Sequence, residues 1–524
     1  MTPNAEDLDL QHHLIQQLLK SPACFGHTLD QVEHIETHIS HLLLVGETVY
    51  KIKKPLNLGF LDFSTLEKRR LCCEEELRLN RRLAPTLYLD VVGIGGSIEQ
   101  PIMNADSGIL EYAVRMRRFR QQDLLNITLP DRDMIERLAV LIADFHQMIP
   151  AVSEEMPYGK PNNVFKPMEE NFQLIRGLKQ PLLEIERLNI LQTWTEQQAS
   201  VLEPLMEERY QSGHIRECHG DLHLGNIALF EGRITPFDGI EFNPNLRWID
   251  TLSDIAFLIM DLQHRGLNPD ADRLLNVYLE QSGDYAGLLL LRFYLLYRAM
   301  VRAKVTAIRA SQEGLPYEER EQLLVEYRSF LSLAESITRH PPASLIITHG
   351  YSGSGKSIIS GWLAEQMMAI RLRSDIERKR LFPEQGVADG TTASERYSDK
   401  ATQVTYTHLM GMAKRLLRNG FSVIIDATFL AYWQREMFLQ MAESQQAPIL
   451  IIDCQARQTL LYDRIKHRSE QGNDPSEADL TVLMHQQQSC EPLMSYERER
   501  TVTVDSEQFP PPGLLATVLQ RLMR

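Results

Sequence analysis

Gly350-Tyr351-Ser352-Gly353-Ser354-Gly355-Lys356-Ser357 fills the pattern G-x-x-x-x-G-K-[ST] at every position. An apolar run at 345–348 precedes it, and a helix-compatible run at 358–368 follows. Phosphate binding demands that order. Glycines let backbone N–H groups turn inward around phosphate oxygens, and the following helix N-terminus favours an anion. Lys356 is placed to reach the β- and γ-phosphates of ATP, and the Ser357 hydroxyl to ligate Mg2+. A chance glycine-rich turn would not be expected to carry both flanks.

Outward from this loop, Val423-Ile424-Ile425-Asp426 is a second buried-type strand ending on a carboxylate. Asp426 there would hold Mg2+ directly or through water; a plain strand cap is the alternative. With 449–453 these short apolar runs are of the parallel-sheet kind, so the carboxy-terminal part reads as an α/β domain with a parallel sheet. It is preceded by Arg339-His340-Pro341-Pro342, where two prolines end a helical pattern and hold the chain extended. The joint divides the chain into domains at 1–338 and 343–524.

Arg373-Ser374-Asp375-Ile376-Glu377-Arg378 follows a short strand-like piece. Here the carboxy-terminal part resembles P-loop kinases of the polynucleotide-kinase, zeta-toxin and gluconate-kinase type. Several of these carry an Asp after the second strand that accepts the substrate hydroxyl proton, with an Arg three positions later. The resemblance implies that Asp375 orients or deprotonates an acceptor hydroxyl, with Arg378 beside it. Ser374 or Asp375 would also cap the following helix, and the two roles can coexist. Such kinases close a basic lid over the phosphate after the fourth strand. Arg464, Lys466, His467 and Arg468, before Gly472-Asn473-Asp474-Pro475-Ser476, correspond to it. Arg464 and Arg468 would share a helix face; a solvated basic helix end is the alternative. The resemblance covers most of 343–500 and fixes the class better than the substrate.

The amino-terminal part reads differently. Strand-like segments at 37–45 and 48–53 flank Gly46-Glu47, which predicts a hairpin. A helix at 66–83 and strands at 89–94 and 112–117 follow. From 131 onward the pattern is mostly helical, with a loop-rich interruption at 218–245. This is an α+β arrangement, a small sheet-rich lobe followed by a larger helical one.

Within the interruption, Cys218-His219-Gly220-Asp221-Leu222-His223-Leu224-Gly225-Asn226 sets an Asp five positions before an Asn, the layout of a kinase catalytic loop. It closely resembles the HGDxHxxN loop of the aminoglycoside phosphotransferase and choline-kinase group, with a bilobal protein-kinase-like fold. The resemblance implies Asp221 as catalytic base and Asn226 as a Mg2+ ligand, with His219 and His223 shaping the loop. Asp238, in Ile234-Thr235-Pro236-Phe237-Asp238-Gly239-Ile240-Glu241, matches the metal-binding element of that group. It implies Mg2+ binding by Asp238 and a direct or indirect metal role for Glu241. Asp250 and Asp254 fall where the group braces its catalytic loop.

The small lobe should supply a lysine for the α- and β-phosphates. In Val49-Tyr50-Lys51-Ile52-Lys53-Lys54, Lys51 and Lys53 share a strand face, and Lys51 is favoured because Val49 precedes it on that face. Among Glu74, Glu75 and Glu76, Glu76 lies with Leu79 and Leu83 and is the favoured partner. A solvated acidic helix face is the alternative. No GxGxxG stands between the first strands, which weighs against a protein kinase more than against ATP binding. The segment 112–119 is the expected adenine hinge. Tyr294, Arg298 and Arg302 at helical spacing either line an acceptor pocket or belong to a salt-bridged core helix.

The two parts together resemble bacterial fusions of an aminoglycoside-phosphotransferase-like domain with a P-loop ATP-binding domain. The 524 residues are 43% hydrophobic and 24% charged, ordinary globular values, with a formal net charge of -15. That acidity argues against a general nucleic-acid or anionic-membrane binder, though a local basic groove is compatible with it. Six cysteines without a CxxC pair read as reduced thiols. The first thirty residues lack a basic start and apolar run; Leu8, Leu10, Leu14, Ile15, Leu18 and Leu19 suggest an amphipathic helix instead. Arg292, Arg298 and Arg302 interrupt the most apolar stretch, so no membrane span and a cytoplasmic location are expected. The expected function is ATP- and Mg2+-dependent transfer of phosphate to small-molecule hydroxyls at two sites. The alternatives are one active kinase module governed by a nucleotide-binding switch, or a P-loop half acting on polynucleotide 5′-hydroxyls.

Overall fold

The computed structural model describes residues 5–26, 31–59, 61–178, 184–312, 314–339, 342–383, 398–471 and 479–523. The chain divides into two compact units, Met1–His264 with Phe293–Ala334, and Arg265–Arg292 with Glu335–Arg524. The domain division expected at the 339–342 joint is therefore incomplete. Residues 265–292 already belong to the second unit, and His340 and Pro341 lie outside the described residues.

The first unit begins with an antiparallel sheet in the order β1-β2-β3-β6-β4-β5. Its strands are β1 (Glu33–Glu36), β2 (Ser40–Val45), β3 (Thr48–Lys53), β4 (Tyr88–Gly96), β5 (Pro101–Met103) and β6 (Glu111–Arg117). The β2–β3 hairpin closes at Val45 and Thr48 around Gly46, whose φ of 57° suits a residue without Cβ. Leu43, Val45, Tyr50 and Ile52 project from one sheet face onto Leu14, Ile15 and Leu18 of the amphipathic helix Ala5–Lys20. The helix Leu66–Asn80, capped by the Thr65 hydroxyl at 3.2 Å from Lys68 N, packs with β4 and β6 through Cys73 among others. The strand expected from 37 starts only at Ser40, because Thr37 N–H closes a turn onto the Ser40 carbonyl at 2.9 Å.

A helical lobe follows, built on Arg132–Met148, Pro161–Gly177, Ile185–Gln211 and the almost wholly buried Thr251–His264. Two small ribbons serve the site. β7 (Ile215–Glu217) pairs with β10 (Trp248–Asp250), and β8 (Ile227–Phe230) pairs with β9 (Arg233–Pro236). The second ribbon sets Asn226, just before β8, beside Phe237, just after β9.

The second unit is built on a parallel sheet ordered β12-β13-β11-β14-β15. The strands are β11 (Leu345–His349), β12 (Ile370–Arg373), β13 (Val423–Asp426), β14 (Ile449–Gln455) and β15 (Thr501–Asp505). All four residues of β13 and the first four of β11 are buried, as expected for strands covered on both faces. Ile359, Leu363 and Ala364 of the helix Lys356–Met367 join Ile346, Ile424 and Ile452 in one core. Among the described residues, no helix is long and apolar enough to cross a membrane.

Candidate active sites

In the first unit, strand alternation sends Lys51 and Lys53 to the same face of β3, and both reach Glu76. Lys51 Nζ lies 2.8 Å from Glu76 Oε1, and Lys53 Nζ lies 2.6 Å from Oε2. Lys51, 12% exposed, also contacts Asp238. Lys53 is fully buried, 4.9 Å from the centre of the Phe63 ring, and contacts Glu241. Burial alone would lower both ammonium pKa values. The facing carboxylates, Asp238 and Glu76 for Lys51 and Glu241 and Glu76 for Lys53, raise them instead. Glu241 therefore sits as the ion-pair partner of a buried lysine. Glu74 pairs with Arg70, and Glu75 with Arg78 and Arg247, so Glu76 alone of the three faces the lysines.

The catalytic-type loop is held from behind. Asp254 accepts the His219 and Gly220 N–H groups at 3.1 and 2.8 Å and lies 3.1 Å from His146 Nε2. Asp261 accepts Leu224 N–H at 3.0 Å, and Asp250 binds Arg209 through both oxygens at 2.7 and 2.8 Å. Arg298, buried, donates to the Gly220 carbonyl at 3.1 Å and the Ser253 carbonyl at 3.0 Å, while Tyr294 OH lies 3.3 Å from Asp250 Oδ2. Arg298 thus braces the loop, while Tyr294 joins the Asp250–Arg209 pair. Gly220 has φ 86°, and a Cβ there would lie 2.7 Å from the Leu246 carbonyl, so the turn needs glycine.

His219 Nε2 donates to the Phe237 carbonyl at 2.9 Å, leaving Nδ1 to accept Asp221 N–H at 3.3 Å. Burial lowers its pKa. Asn226 Nδ2 donates to the Asp221 carbonyl at 3.0 Å and to Oδ2 at 2.9 Å, and His223 Nε2 lies 3.4 Å from that oxygen. Burial would raise the Asp221 carboxyl, but His223, His219 and Arg302 hold it well below the usual range. It is an ionised carboxylate with its side chain 37% exposed. Asp238 adopts φ 62°, costly for a residue with Cβ, and is held there by its N–H to Tyr88 OH at 3.1 Å and the next N–H, of Gly239, to Asn80 Oδ1 at 2.8 Å. With Nδ2 engaged, Asn226 keeps Oδ1 for a cation. An amide oxygen and a carboxylate are the hard donors that Mg2+ takes.

In the second unit Gly350, Gly353 and Gly355 have φ of 138°, 81° and 85°. A Cβ would lie 2.6 Å from the Cys454 carbonyl at Gly350 and 2.8 Å from Ser506 Cβ at Gly355. Lys356 opens its helix and turns back, Nζ donating to the Tyr351 carbonyl at 2.7 Å. Burial lowers its pKa, against the pull of Asp426. The Ser354 hydroxyl and Asp426 Oδ2 are buried polar atoms with no hydrogen-bond partner, and Asp426 is 5% exposed. An orphaned carboxylate oxygen lining the same cleft as Ser357 fits a hard divalent cation.

A cleft of about 1280 Å³ is lined by Gly353, Gly355, Lys356, Ser357, Asp375, Arg378, Asp426, Arg464 and Arg468. Asp375 and Arg378 lie on the helix Ser374–Leu381, and Arg378 Nη1 donates to Thr402 Oγ1 at 3.2 Å. Arg464 differs from the lid expected of it. It donates to the Gly353 carbonyl at 3.1 Å and to Ser506 Oγ and carbonyl at 3.1 and 2.9 Å, so it braces the loop. The stretch Gly472-Asn473-Asp474-Pro475-Ser476 lies outside the described residues. The sequence reading missed Gln486, whose Oε1 accepts Ser352 N–H at 2.9 Å and whose Nε2 donates to Ser352 Oγ at 3.0 Å. It also missed the Tyr406 and Trp433 rings of the cleft wall, 5.7 Å apart. Nothing in 484–488 sets Gln486 apart from its two glutamine neighbours.

A family model described as an AAA domain matches residues 345–493. The Mycobacterium tuberculosis protein Rv2004c is 30% identical over 464 residues, 87% of this chain and 89% of the relative. Mb2027c of Mycobacterium bovis matches to the same extent. The chain belongs to the Rv2004c family. Among solved structures similar to this Rv2004c-family chain, a gluconokinase from Sinorhizobium meliloti is 22% identical, with 36% of this chain and 94% of that one covered and a TM-score of 0.25. A choline/ethanolamine kinase family protein from Mesorhizobium loti is 10% identical, with 62% and 99% covered and a TM-score of 0.37. The Rv2004c-family chain joins a unit with an antiparallel sheet and a helical lobe to an α/β unit whose parallel sheet carries the P-loop, and the AAA-domain model matches the latter.

Proposed function

We propose that this chain is an ATP-dependent phosphotransferase with two nucleotide sites, each passing the γ-phosphate to a hydroxyl of a small molecule. The observation that carries the reading is one assembly built twice. Each unit joins a lysine for phosphate, hard oxygen donors for a divalent cation, and a further carboxylate for the acceptor. In the first unit these are Lys51 with Glu76, Asn226 with Asp238, and Asp221. In the second they are Lys356, Ser357 with Asp426, and Asp375.

The acceptor oxygen bonds to the γ-phosphorus as the bond to the β,γ-bridging oxygen breaks, ADP leaves, and the hydroxyl proton passes to Asp221 or Asp375. Mg2+, when bound, neutralises charge on the phosphate oxygens. Asp221, ionised and partly exposed, orients the acceptor by hydrogen bonding, and Arg378 lines the cleft near Asp375 to offset charge on the transferring group. The cleft of about 1280 Å³ exceeds the ~300–1,000 Å³ of a usual ligand pocket, which leaves room for nucleotide and small acceptor together. The acidic net charge of -15 favours small molecules over nucleic acid. All six cysteines are free thiols, in keeping with a cytoplasmic setting.

Asp221→Ala and Lys356→Ala, each assayed for ADP release with panels of sugars, nucleosides and amino alcohols, test the reading. Each is expected to abolish a separate portion of turnover. Loss of all turnover in either variant alone would replace two enzymes by an enzyme and a switch, and unchanged turnover in both would end the proposal.

A further inference from the structure

The P-loop unit is not one continuous stretch of chain, since residues 265–292 complete it. Within the unit the helix Asn268–Ser282 lies along β12. Asn276 Nδ2 donates to the Ala369 carbonyl at 3.0 Å, and its Oδ1 accepts Arg371 N–H at 2.7 Å. One helical turn later Glu280 faces the same strand. Its Oε1 accepts Arg371 Nε at 2.8 Å, and its Oε2 accepts Arg373 Nη1 at 3.4 Å. Glu280 is 10% exposed.

Arg373 ends β12 in register with Asp426 on β13, and its Nε stands 3.8 Å from Asp426 Oδ2. That oxygen is the one without a hydrogen-bond partner, and both residues line the cleft beside Lys356 and Ser357. One guanidinium thus stands between two carboxylates. Drawn fully onto Asp426, it would compete for the charge that a divalent cation requires. The second carboxylate, on a helix outside the conventional sheet-and-helix succession, opposes that movement.

We propose that Glu280 is a positioning residue of the P-loop site, which restrains Arg373 from closing on Asp426 and so keeps Asp426 able to take a divalent cation. The inference rests on reading the second unit as a site for a metal-bound nucleotide. Gln at 280 keeps a carbonyl oxygen for Arg371, so helix docking persists while the charge that restrains Arg373 disappears.

The test uses the full chain carrying Asp238→Ala, which removes a metal ligand from the first unit. Retention of a non-hydrolysable ATP analogue is titrated with Mg2+ for this parent, for Glu280→Gln, for Arg373→Gln and for the pair. Glu280→Gln should raise the Mg2+ concentration at half-saturation by about fivefold or more, with affinity for metal-free nucleotide and melting temperature unchanged. Adding Arg373→Gln should restore the parent value, because the competing cation is gone. No shift in Glu280→Gln, or a shift that persists in the pair, overturns the proposal. Should Glu280→Gln fail to fold, Arg373→Gln alone decides: a half-saturation at or below that of the parent supports the restraint and a higher one overturns it. A parent whose Mg2+-dependent retention is absent, or survives Lys356→Ala, overturns the nucleotide-site reading itself and the inference with it, a result separable from the others.

Discussion

Lys53→Met is the sharpest test of how the first unit distributes its buried charge. Lys53 and Glu76 are fully buried and Glu241 is 5% exposed, so one buried ammonium serves two carboxylates, of which Glu76 also holds Lys51. Methionine keeps the apolar stem against Phe63 and removes only the charge. Breaking a buried pair from one side costs about 3–5 kcal/mol, because the remaining carboxylate stays desolvated. At about 2–4 °C per kcal/mol for a sizeable domain, the first-unit melting transition should fall by roughly 6–20 °C. Lys51→Met should behave differently. Its partner Asp238 has a side chain 42% exposed, and Glu76 still keeps Lys53. That variant should lose about 1–2 kcal/mol at most, yet lose nucleotide retention in the first unit. Glu241→Gln added to Lys53→Met should recover more than half of the lost stability, since it removes the uncompensated charge. Differential scanning calorimetry of the four proteins reads these shifts. Equal destabilisation by Lys51→Met and Lys53→Met, or an unmoved transition in Lys53→Met, would refute the division of labour between the two lysines.

Gly350→Ala should abolish nucleotide retention by the second unit while leaving the first unit's transition in place. Its φ of 138° and a Cβ 2.6 Å from the Cys454 carbonyl leave no room for a side chain, and retained binding at the P-loop would count against this loop geometry. Asp272 gives the second unit a pH signature. Burial, with Glu365 adding to it, raises its carboxyl to about 8, whereas the unfolded chain ionises near ~3.9. The folded state therefore binds the extra proton between those values, so the second unit loses stability as pH climbs from about 4 to about 8. Asp272→Asn removes this titration, and its stability advantage over the native chain in urea unfolding should widen from pH 5 to pH 8; identical pH slopes would contradict the assignment.

The parts of the site that were legible in the sequence are those where chemistry is written locally. The P-loop needs its glycines at fixed offsets, and Asp221, Asn226 and Asp238 sit on one short loop and ribbon. Glu76 could be told from Glu74 and Glu75 because it shares a helix face with Leu79, and the structure buries both. Where partners are remote, local pattern is silent. Lys51 and Lys53 leave β3 on the same face, so alternation could not separate them; Asp238 and Glu241, far along the chain, do. Arg464 looked like a lid residue beside Arg468, but Ser506 claims its guanidinium. β1 escaped notice because all four residues, Glu33 to Glu36, are exposed and show no apolar alternation. The membership of residues 265–292 was hidden for a related reason. An amphipathic helix announces that one face is covered, not which sheet covers it.

The amide of Asn276 bears on how this chain avoids sticking to its neighbours. β12 is the outermost strand on its side of the parallel sheet, and an uncovered outer strand offers a row of donors and acceptors to any passing chain. Synthesis delivers residue 276 before residues 369–373, so the guard is made before the strand it shields. A fragment begun at the prolines near 342 would be born without that guard, and its tendency would be to assemble sheet to sheet.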